Sequence, residues 1–401
     1  MTLSRARTAV GTSGRRPVRL DGPSRRAFLA GLGAAAAAAG TGLVGCTSQP
    51  AADQVTVRLT DRLVVSNWPA YIDTRPAHGS VVRPTVREFE ADSGLRVSYN
   101  ADVNDNQEFF DKVRDYLAAG EPTGRDVVVL TDWMAARLIS LDWVQRLDEA
   151  LIPNRANLIP PLAEPSFDPT RKYSLPWQSG LTGIATNLRV RDKEVRTVTE
   201  LLTDRSLKGR VSVLTEMRDT MGLILLDLGH DPTSFTSDQW SQAMGVLQDA
   251  VDRGQIMAFT GNDYLPLLSR GQLAACIGWS GDVIQAQAED PRIAFVLPDA
   301  GAMLWADNML VPNAAANPQG AAEWMNWYYD PTVAARVAAA VQFICPVLGA
   351  QEAMRKVDPS LVDNPLIFPS EDDYQKLSIF RGLSDDEQNT YAEQFERVQR
   401  A

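Results

Sequence analysis

The sequence predicts an α/β protein built as two lobes. Three observations lead there. Strand-like and helix-like segments alternate along the chain; one strand-like run, Val127 to Leu130, is continuously apolar, as in a sheet covered on both faces; and the pattern halts at a proline-rich stretch before starting again. At about 150 residues per domain, 401 residues leave room for two or three domains. A hydrophobic share of 45% with 22% charged residues is ordinary globular composition, which excludes a disordered or collagen-like chain.

In chain order, Val55 to Val65 reads as a strand. Arg83 to Asp92 reads as a short helix with Val86 and Phe89 on one face, and Gly94 suits its C-cap. Leu95, Val97 and Tyr99 alternate as a strand should. Apolar residues at 109, 110, 113 and 117 give Gln107 to Leu117 a helical spacing, and this segment feeds the Val127 to Leu130 strand. Residues 153 to 176 are rich in proline and make an irregular crossing. Beyond it come a strand at Val211 to Leu214, helices at 221 to 228 and 238 to 252, and strands at Leu273 to Ile277 and Ala294 to Leu297. The expected partition is 57–182 with 305–350 for the first lobe and 183–304 with 351–401 for the second.

The first 45 residues are a different object. The chain carries 39 Lys and Arg against 50 Asp and Glu, yet seven of the arginines and only one acid, Asp21, fall here, leaving 32 bases and 49 acids beyond, a net charge of −17. Arg25 and Arg26 precede an apolar stretch from Ala30 to Val44, too short to span a bilayer and flanked as a secretory signal is. The paired arginines look like a twin-arginine export address, and Leu43, Val44, Gly45 and Cys46 resemble a bacterial lipobox. Residues 1–45 are therefore expected to be a signal peptide, Cys46 the lipidated first residue of the mature chain, and 46–56 a tether on the outer face of the cytoplasmic membrane, the periplasmic or extracellular side. Gly31, Leu32, Gly33 and Ala36 mimic a dinucleotide fingerprint, but no strand precedes them. Cys276 and Cys345 are left either to pair, as an oxidising compartment permits, or to stand as buried thiols.

Composition also narrows function. Two histidines cannot furnish a three-histidine zinc site, and an acidic chain lacks the cationic surface that nucleic-acid backbones require. No metal, cofactor or nucleic acid is expected. Five of the nine tryptophans end apolar runs: Trp68, Trp133, Trp177, Trp279 and Trp305. Acids accompany them, at Asp73, Asp132, Glu216, Asp219, Asp282 and Asp307. The crevice outside the carboxyl ends of sheet strands is where ligands bind in open α/β folds. Aromatic walls with several carboxylates suit an organic cation, because ring faces attract ammonium groups and carboxylates give them charge-assisted hydrogen bonds. The same residues equally serve as core anchors and helix caps, so composition alone leaves both uses open.

At these segments the chain resembles the spermidine/putrescine-binding proteins of bacterial ABC importers, from about Val57 to Pro346. The resemblance rests on Asn67, Trp68, Tyr71 and Ile72; on Leu130 to Trp133; on Tyr173 to Pro176; on Leu214, Thr215 and Glu216; on Gly278, Trp279 and Gly281; and on Trp305 with Asp307. It implies the two-lobed type II periplasmic binding protein fold, each lobe a mixed sheet flanked by helices, joined by crossings near 178 to 184 and 299 to 306. It further implies an aromatic box of Trp68, Tyr71, Trp133, Trp279 and Trp305 with Phe343 as a further ring, Thr131 bonding an amine, Asp307 as principal carboxylate, and Glu216 and Asp219 as an acidic pair of which either faces the ligand. The implied activity is delivery of a polyamine to a membrane permease by a monomeric binding protein, without catalysis.

The sequence departs from the family where an acid usually stands between Trp68 and Tyr71, for this chain has Pro69 and Ala70. Asp73 or Asp132 is the expected compensation. A quaternary amine or an amino acid derivative stays open as ligand, because a cage for such a cation needs one acid. A ferric-ion site would want clustered oxygen ligands such as Tyr328 and Tyr329, which instead sit in a helix-like run. A sugar-binding protein or a glycosidase using Asp132 and Glu216 also stays open, as does a hydrolase using Ser280, whose Gly278-Trp279-Ser280-Gly281 setting lacks the spacing of a nucleophile elbow and whose only available bases are His78 and His230.

Overall fold

Twelve strands and thirteen α-helices account for most of the computed structural model, which describes residues 60–77 and 80–401. Residues 1–45, expected as a signal peptide, and 46–56, expected as a lipidated tether, lie outside the described residues, as does His78. No described helix is long and apolar enough to cross a membrane. The strands are β1 (Arg62–Asn67), β2 (Arg75–Ala77), β3 (Ser80–Val82), β4 (Arg96–Ala101), β5 (Val127–Thr131), β6 (Ser174–Asn187), β7 (Val211–Leu214), β8 (Ile256–Thr260), β9 (Ala275–Trp279), β10 (Ile293–Val296), β11 (Ala302–Leu310) and β12 (Leu377–Ser378). The helices are α1 (Pro84–Ser93), α2 (Asn106–Ala118), α3 (Asp132–Ser140), α4 (Val198–Thr203), α5 (Met217–Asp227), α6 (Ser237–Asp252), α7 (Tyr264–Ser269), α8 (Ser280–Glu289), α9 (Pro318–Tyr328), α10 (Pro331–Val341), α11 (Ala350–Val357), α12 (Glu371–Tyr374) and α13 (Asp385–Gln399).

Local chemistry accounts for several of these boundaries. Proline opens α1, where its missing N–H costs nothing, and Gly94 closes it at φ +72, a left-handed cap that a side chain disfavours. Thr236 and Gln239 cap α6 reciprocally. The proline-rich stretch expected as an irregular crossing forms two short 3-10 turns, Pro153–Asn157 and Pro160–Leu162, before β6 begins.

The main sheet runs β4-β1-β5-β11-β6-β9-β7-β8. Strands β4, β1 and β5 are parallel, and so are β8, β7 and β9. Between these two parallel sets lie β11 and β6, each antiparallel to its neighbours. All fourteen residues of β6 are buried. Its Leu175 and Trp177 belong to the first hydrophobic core, its Ile184 and Ala185 to the second. Likewise β11 gives Met309 and Leu310 to the first core and Met303 to the second. Midway, Leu181, Leu304 and Ile344 form a small separate cluster covered by Leu366, Tyr374 and Leu377.

Packing corrects the expected lobe boundary after residue 350. Met354, Val362 and Ile367 belong to the first core, because α11 lies against α10, whereas Tyr391, Phe395 and Val398 of α13 belong to the second. The C-terminal segment thus starts on one lobe and finishes on the other. Cys276 and Cys345 are free, buried and in different cores.

Candidate functional site

The two parallel strand sets deliver the site residues at their carboxyl ends, where each strand turns into a helix. Strand β1 ends just before Trp68 and Tyr71; β5 ends on Thr131; β7 is followed by Thr215 and Glu216, with Asp219 in the first turn of α5; β9 ends on Trp279, with Asp282 in the first turn of α8. Acids there also suit the partial positive charge of a helix N-terminus. Trp305 and Asp307 come from β11, and Phe343 from the segment after α10.

These residues line a cleft whose empty space, its open mouth included, is about 540 Å³; its walls are Trp68, Tyr71, Thr131, Glu216, Asp219, Trp279, Asp282, Trp305, Asp307 and Phe343, together with Pro69, Asn104, Asp105, Asn106, Thr215 and Asn262. The rings form a chain. Tyr71 meets Phe343 edge-on at 5.1 Å, Phe343 meets Trp305 at 5.6 Å, and Trp305 meets Trp279 at 6.4 Å. Glycine makes the close approaches possible: a Cβ on Gly180 would lie 2.5 Å from the Trp305 ring, and one on Gly281 2.4 Å from the Phe343 ring.

The carboxylates are buried and hydrogen-bonded. Asp307 Oδ1 accepts from the Thr131 hydroxyl at 2.7 Å. Asp219 accepts from the Trp279 indole at 2.8 Å, and Asp282 from the Asn262 amide at 2.8 Å and the Tyr264 hydroxyl at 3.2 Å. Glu216 Oε2 accepts from the Trp133 indole at 3.1 Å and the Asn106 amide at 3.2 Å, both on the opposite lobe. A further bridge joins the Thr215 hydroxyl to Asp105 at 3.4 Å. The lobes are therefore in contact across the cavity.

Burial pushes the Asp307 carboxyl up to about 7, against the opposing pull of the Thr131 bond, and Asp282 up to about 6. Glu216 and Asp219 are raised as well, chiefly by burial and, for Glu216, by the neighbouring charge of Asp219. Burying a carboxylate without a counter-charge is unfavourable, and no lysine, arginine or histidine lines the cavity. The Trp68 indole N–H is buried without a hydrogen-bond partner, and the Tyr71 hydroxyl lies against the Asp307 carboxyl. A cation entering this space would supply what the acids lack.

Two expectations are corrected. Trp133 is not a wall of the cavity: the Arg218 guanidinium covers its ring at 4.2 Å and its N–H is spent on Glu216. Thr131 lines the cavity; its hydroxyl donates to Asp307 and accepts from Asn106 at 2.9 Å, which leaves one lone pair to accept from an ammonium group. Neither Asp73 nor Asp132 replaces the acid absent at Ala70, for Asp73 accepts from the Thr85 amide and Asp132 from Ala306 and Asn308, both outside the lining. Beside Asp105, an additional cavity acid is Asp282. The sequence signal for it was the one used for Asp219, an acid in the first helical turn after an apolar strand. Asn104, Asp105, Asn106 and Asn262 had no such signal. Trp177 is a core residue, stacked on Tyr328 and Trp324, whose indole holds the Tyr71 carbonyl at 3.0 Å. The Ser280 hydroxyl accepts from the Leu181 amide at 3.2 Å, and His230 is bonded to Gln239 and Gln242 away from the cavity.

Comparison with known proteins agrees with this architecture. The chain is 29% identical over 336 residues to the putrescine-binding periplasmic protein PotF of Escherichia coli, covering 79% of this chain and 85% of that one. It is 24% identical over 346 residues to the spermidine/putrescine-binding periplasmic protein 1 of Haemophilus influenzae, covering 86% and 91%. In fold it is similar to the spermidine/putrescine ABC transporter substrate-binding protein PotD of Streptococcus pneumoniae, with a TM-score of 0.68 at 22% identity over 85% of this chain and 99% of that one. The fold is that of the type II periplasmic binding proteins. A family model described as bacterial extracellular solute-binding protein matches residues 85–369, a span that takes in both cores and most of the cavity wall, and the chain belongs to that family.

Proposed function

We propose that this protein is the solute-binding lipoprotein of an ABC importer and that its ligand is a linear di- or polyamine of the putrescine and spermidine type. The observation that carries this reading is the cavity wall, in which aromatic rings and five carboxylates occur with no basic side chain. The names of the relatives, putrescine-binding and spermidine/putrescine-binding, support it. Several acids in one slot favour a ligand with more than one positive charge over a quaternary amine, which needs a single counter-ion.

Each residue then has a role. Asp307 pairs with one ammonium group, and Asp219 and Asp282 on the other lobe pair with another. Trp68, Tyr71, Trp279, Trp305 and Phe343 enclose the methylene chain. The lobes hinge on β6 and β11, the two strands that contribute to both cores. Closure expels water, which strengthens each carboxylate to ammonium contact, and an amine touching both lobes stabilises only the closed state. That closed state docks on a membrane permease driven by an ATPase. Export by the twin-arginine signal and lipidation at Cys46 hold the monomer on the outer face of the cytoplasmic membrane.

The test is calorimetry and thermal shift with putrescine, cadaverine, spermidine, choline and a panel of sugars, followed by recovery of the ligand. Amines with two or more charges should raise the melting temperature and come back unchanged. Stabilisation by choline or by a sugar alone, or turnover of the bound compound, would overthrow the reading.

A further inference from the structure

Asp132 follows Thr131 in the chain yet stays out of the cavity, and its two carboxylate oxygens are both engaged elsewhere. Oδ2 accepts from the backbone N–H of Ala306 at 3.0 Å, and Oδ1 accepts from the Asn308 side-chain amide at 2.7 Å. Those two residues flank Asp307. With donors aimed at both oxygens, the group is held as an acceptor, which is the ionised form.

The stretch of β11 so held is irregular. Asp307 lies opposite Gln178 of β6 but Asn308 lies opposite Pro176, so the register slips between them. A bulge re-aims a side chain and weakens the local ladder. Proline at 176 cannot donate to that ladder. Asp132 restrains the bulged strand from one side while Thr131 holds the Asp307 carboxylate from the other.

Behind Asp132 stands a buried cation. Asn308 Oδ1 accepts from Arg171 at 2.7 Å, and the same guanidinium bonds the Ser174 hydroxyl and the Leu162 carbonyl. Arg171 has φ +50, a left-handed conformation that costs a non-glycine residue about 1 kcal/mol or more. The turn is fixed by Asp168, which accepts from the N–H groups of Lys172, Tyr173 and Ser174 at 2.9 Å each. A strained backbone kept in place by four surrounding segments is the mark of a position that matters.

We propose that Asp132, backed by Asn308 and Arg171, is a positioning residue that fixes the bulged segment of β11 and thereby sets where Asp307 meets the ammonium group. This rests on the reading of Asp307 as an amine counter-ion. It differs from the expectation that Asp132 is itself a ligand acid: its charge faces the strand, not the solute.

The experiment compares the full chain with Asp132→Asn and with the exchange Asp132→Asn/Asn308→Asp. In the single variant the new amide can accept only one of its two incoming bonds. In the exchange the amide at 132 accepts from Ala306 and donates to the carboxylate at 308, whose other oxygen receives Arg171, so the bonds joining 132, 306, 308 and 171 are restored with the charge moved, and only the longer 3.2 Å donation from 308 to the Ala306 carbonyl is lost. Two readouts are taken: putrescine affinity by calorimetry, and amide hydrogen exchange of the peptide covering residues 304–310 in the ligand-free protein. The single variant should bind putrescine roughly tenfold to a hundredfold more weakly, the range for losing a charge-assisted hydrogen bond, and should exchange faster within 304–310 alone. The exchange variant should return to within about threefold of the parent, less than a hydrogen bond's worth, and recover protection.

Unchanged protection of 304–310 in the single variant overturns the proposal. So does normal putrescine affinity in a single variant that has lost that protection, or an exchange variant that regains protection without regaining affinity. Should the single variant not fold, the exchange variant carries both readouts, and failure to bind or to protect the segment sinks the idea. If the parent protein takes up no putrescine, the amine reading fails on its own, and the hydrogen-exchange arm still decides whether Asp132 fixes the strand.

Discussion

The Glu216 carboxylate accepts a hydrogen bond from the Trp133 indole at 3.1 Å, and the two residues belong to opposite lobes. The same oxygen takes the Asn106 amide, and Arg218, two residues along α5, covers the Trp133 ring. None of these contacts survives when the lobes part. They act as a latch on closure in addition to whatever the solute contributes. Trp133→Phe keeps a ring for Arg218 but removes the N–H. Burial and the Asp219 charge hold the Glu216 carboxyl well above its ordinary value, so the acceptor is largely neutral and the bond contributes about 0.5–1.5 kcal/mol; putrescine should dissociate roughly twofold to tenfold faster. Stopped-flow displacement showing an unaltered off-rate would dismiss the latch.

Asp307→Ala removes the carboxylate that Thr131 orients. Truncating one member of a buried ion pair costs about 3–5 kcal/mol, so putrescine affinity should fall by more than about 2 kcal/mol even after solvent enters. The ligand-free variant should be no less stable than the parent, because the carboxylate it lacks was buried without a counter-charge. Calorimetry and thermal melts together check both halves.

Much of this arrangement was legible in the sequence because strand ends leave a local mark. Thr131, Glu216, Asp219 and Trp279 each close an apolar run and open a helix, so their shared direction follows from the parallel strands beneath them. Trp133 was misplaced by the same logic: it is two residues past the N-cap of α3, and which way an indole turns there depends on Arg218 and Glu216, far away in the chain. The C-terminal crossing was invisible for a similar reason. Leu366, Tyr374 and Leu377 cover the hinge cluster from a stretch with little periodicity, and their burial follows from what Leu181, Leu304 and Ile344 leave exposed. Asn106 reads only as a loop residue before a helix. Its bonds to Thr131 and Glu216 arise from a meeting of three segments that no local pattern encodes.

Acidification should release the solute. Amines stay charged below pH 9, so the carboxylates set the profile. Asp307 is pushed up to about 7 and Asp282 to about 6, so both must lose protons to pair with an amine near neutrality. Putrescine affinity should drop at least tenfold from pH 7.5 to 5.5, with proton release on binding measurable by calorimetry in buffers of different ionisation enthalpy. Stability of the ligand-free protein runs the other way. A carboxyl raised above its unfolded value of about 4 favours the native state below that value, and this contribution is lost as pH rises through about 7. Amine should restore it. An affinity that does not change with pH between 5.5 and 7.5 would contradict the assignment of these acids.

In the proposed function the anchor is Cys46, the first residue after the expected signal peptide. Cys46→Ala should leave the protein unlipidated and shift it from the membrane fraction to the soluble one, with putrescine affinity unchanged since the cleft is remote from the tether in sequence. Retention in the membrane fraction would rule out the lipid anchor.

Gly281 separates stability from function. It sits in the first turn of α8, a helix of the second core, and a Cβ there would lie 2.4 Å from the ring of Phe343, a residue of the first core. The lobes close to this distance only because position 281 lacks a side chain. Helix propensity alone favours alanine over glycine by about 1 kcal/mol, so Gly281→Ala should melt no lower than the parent when ligand-free, the open form relieving the contact. Closed, however, the methyl would push Phe343 into Tyr71 and Trp305, which meet its ring at 5.1 Å and 5.6 Å. Overpacking of this kind costs about 1–3 kcal/mol, so putrescine should bind roughly tenfold or more weakly, and small-angle scattering should show the saturated variant more open than the parent. Phe343→Leu in the same chain should return part of that loss, giving a coupling energy of about 1 kcal/mol between the two positions. A Gly281→Ala protein that binds and closes as the parent does would show that the approach of α8 to Phe343 has no part in closure.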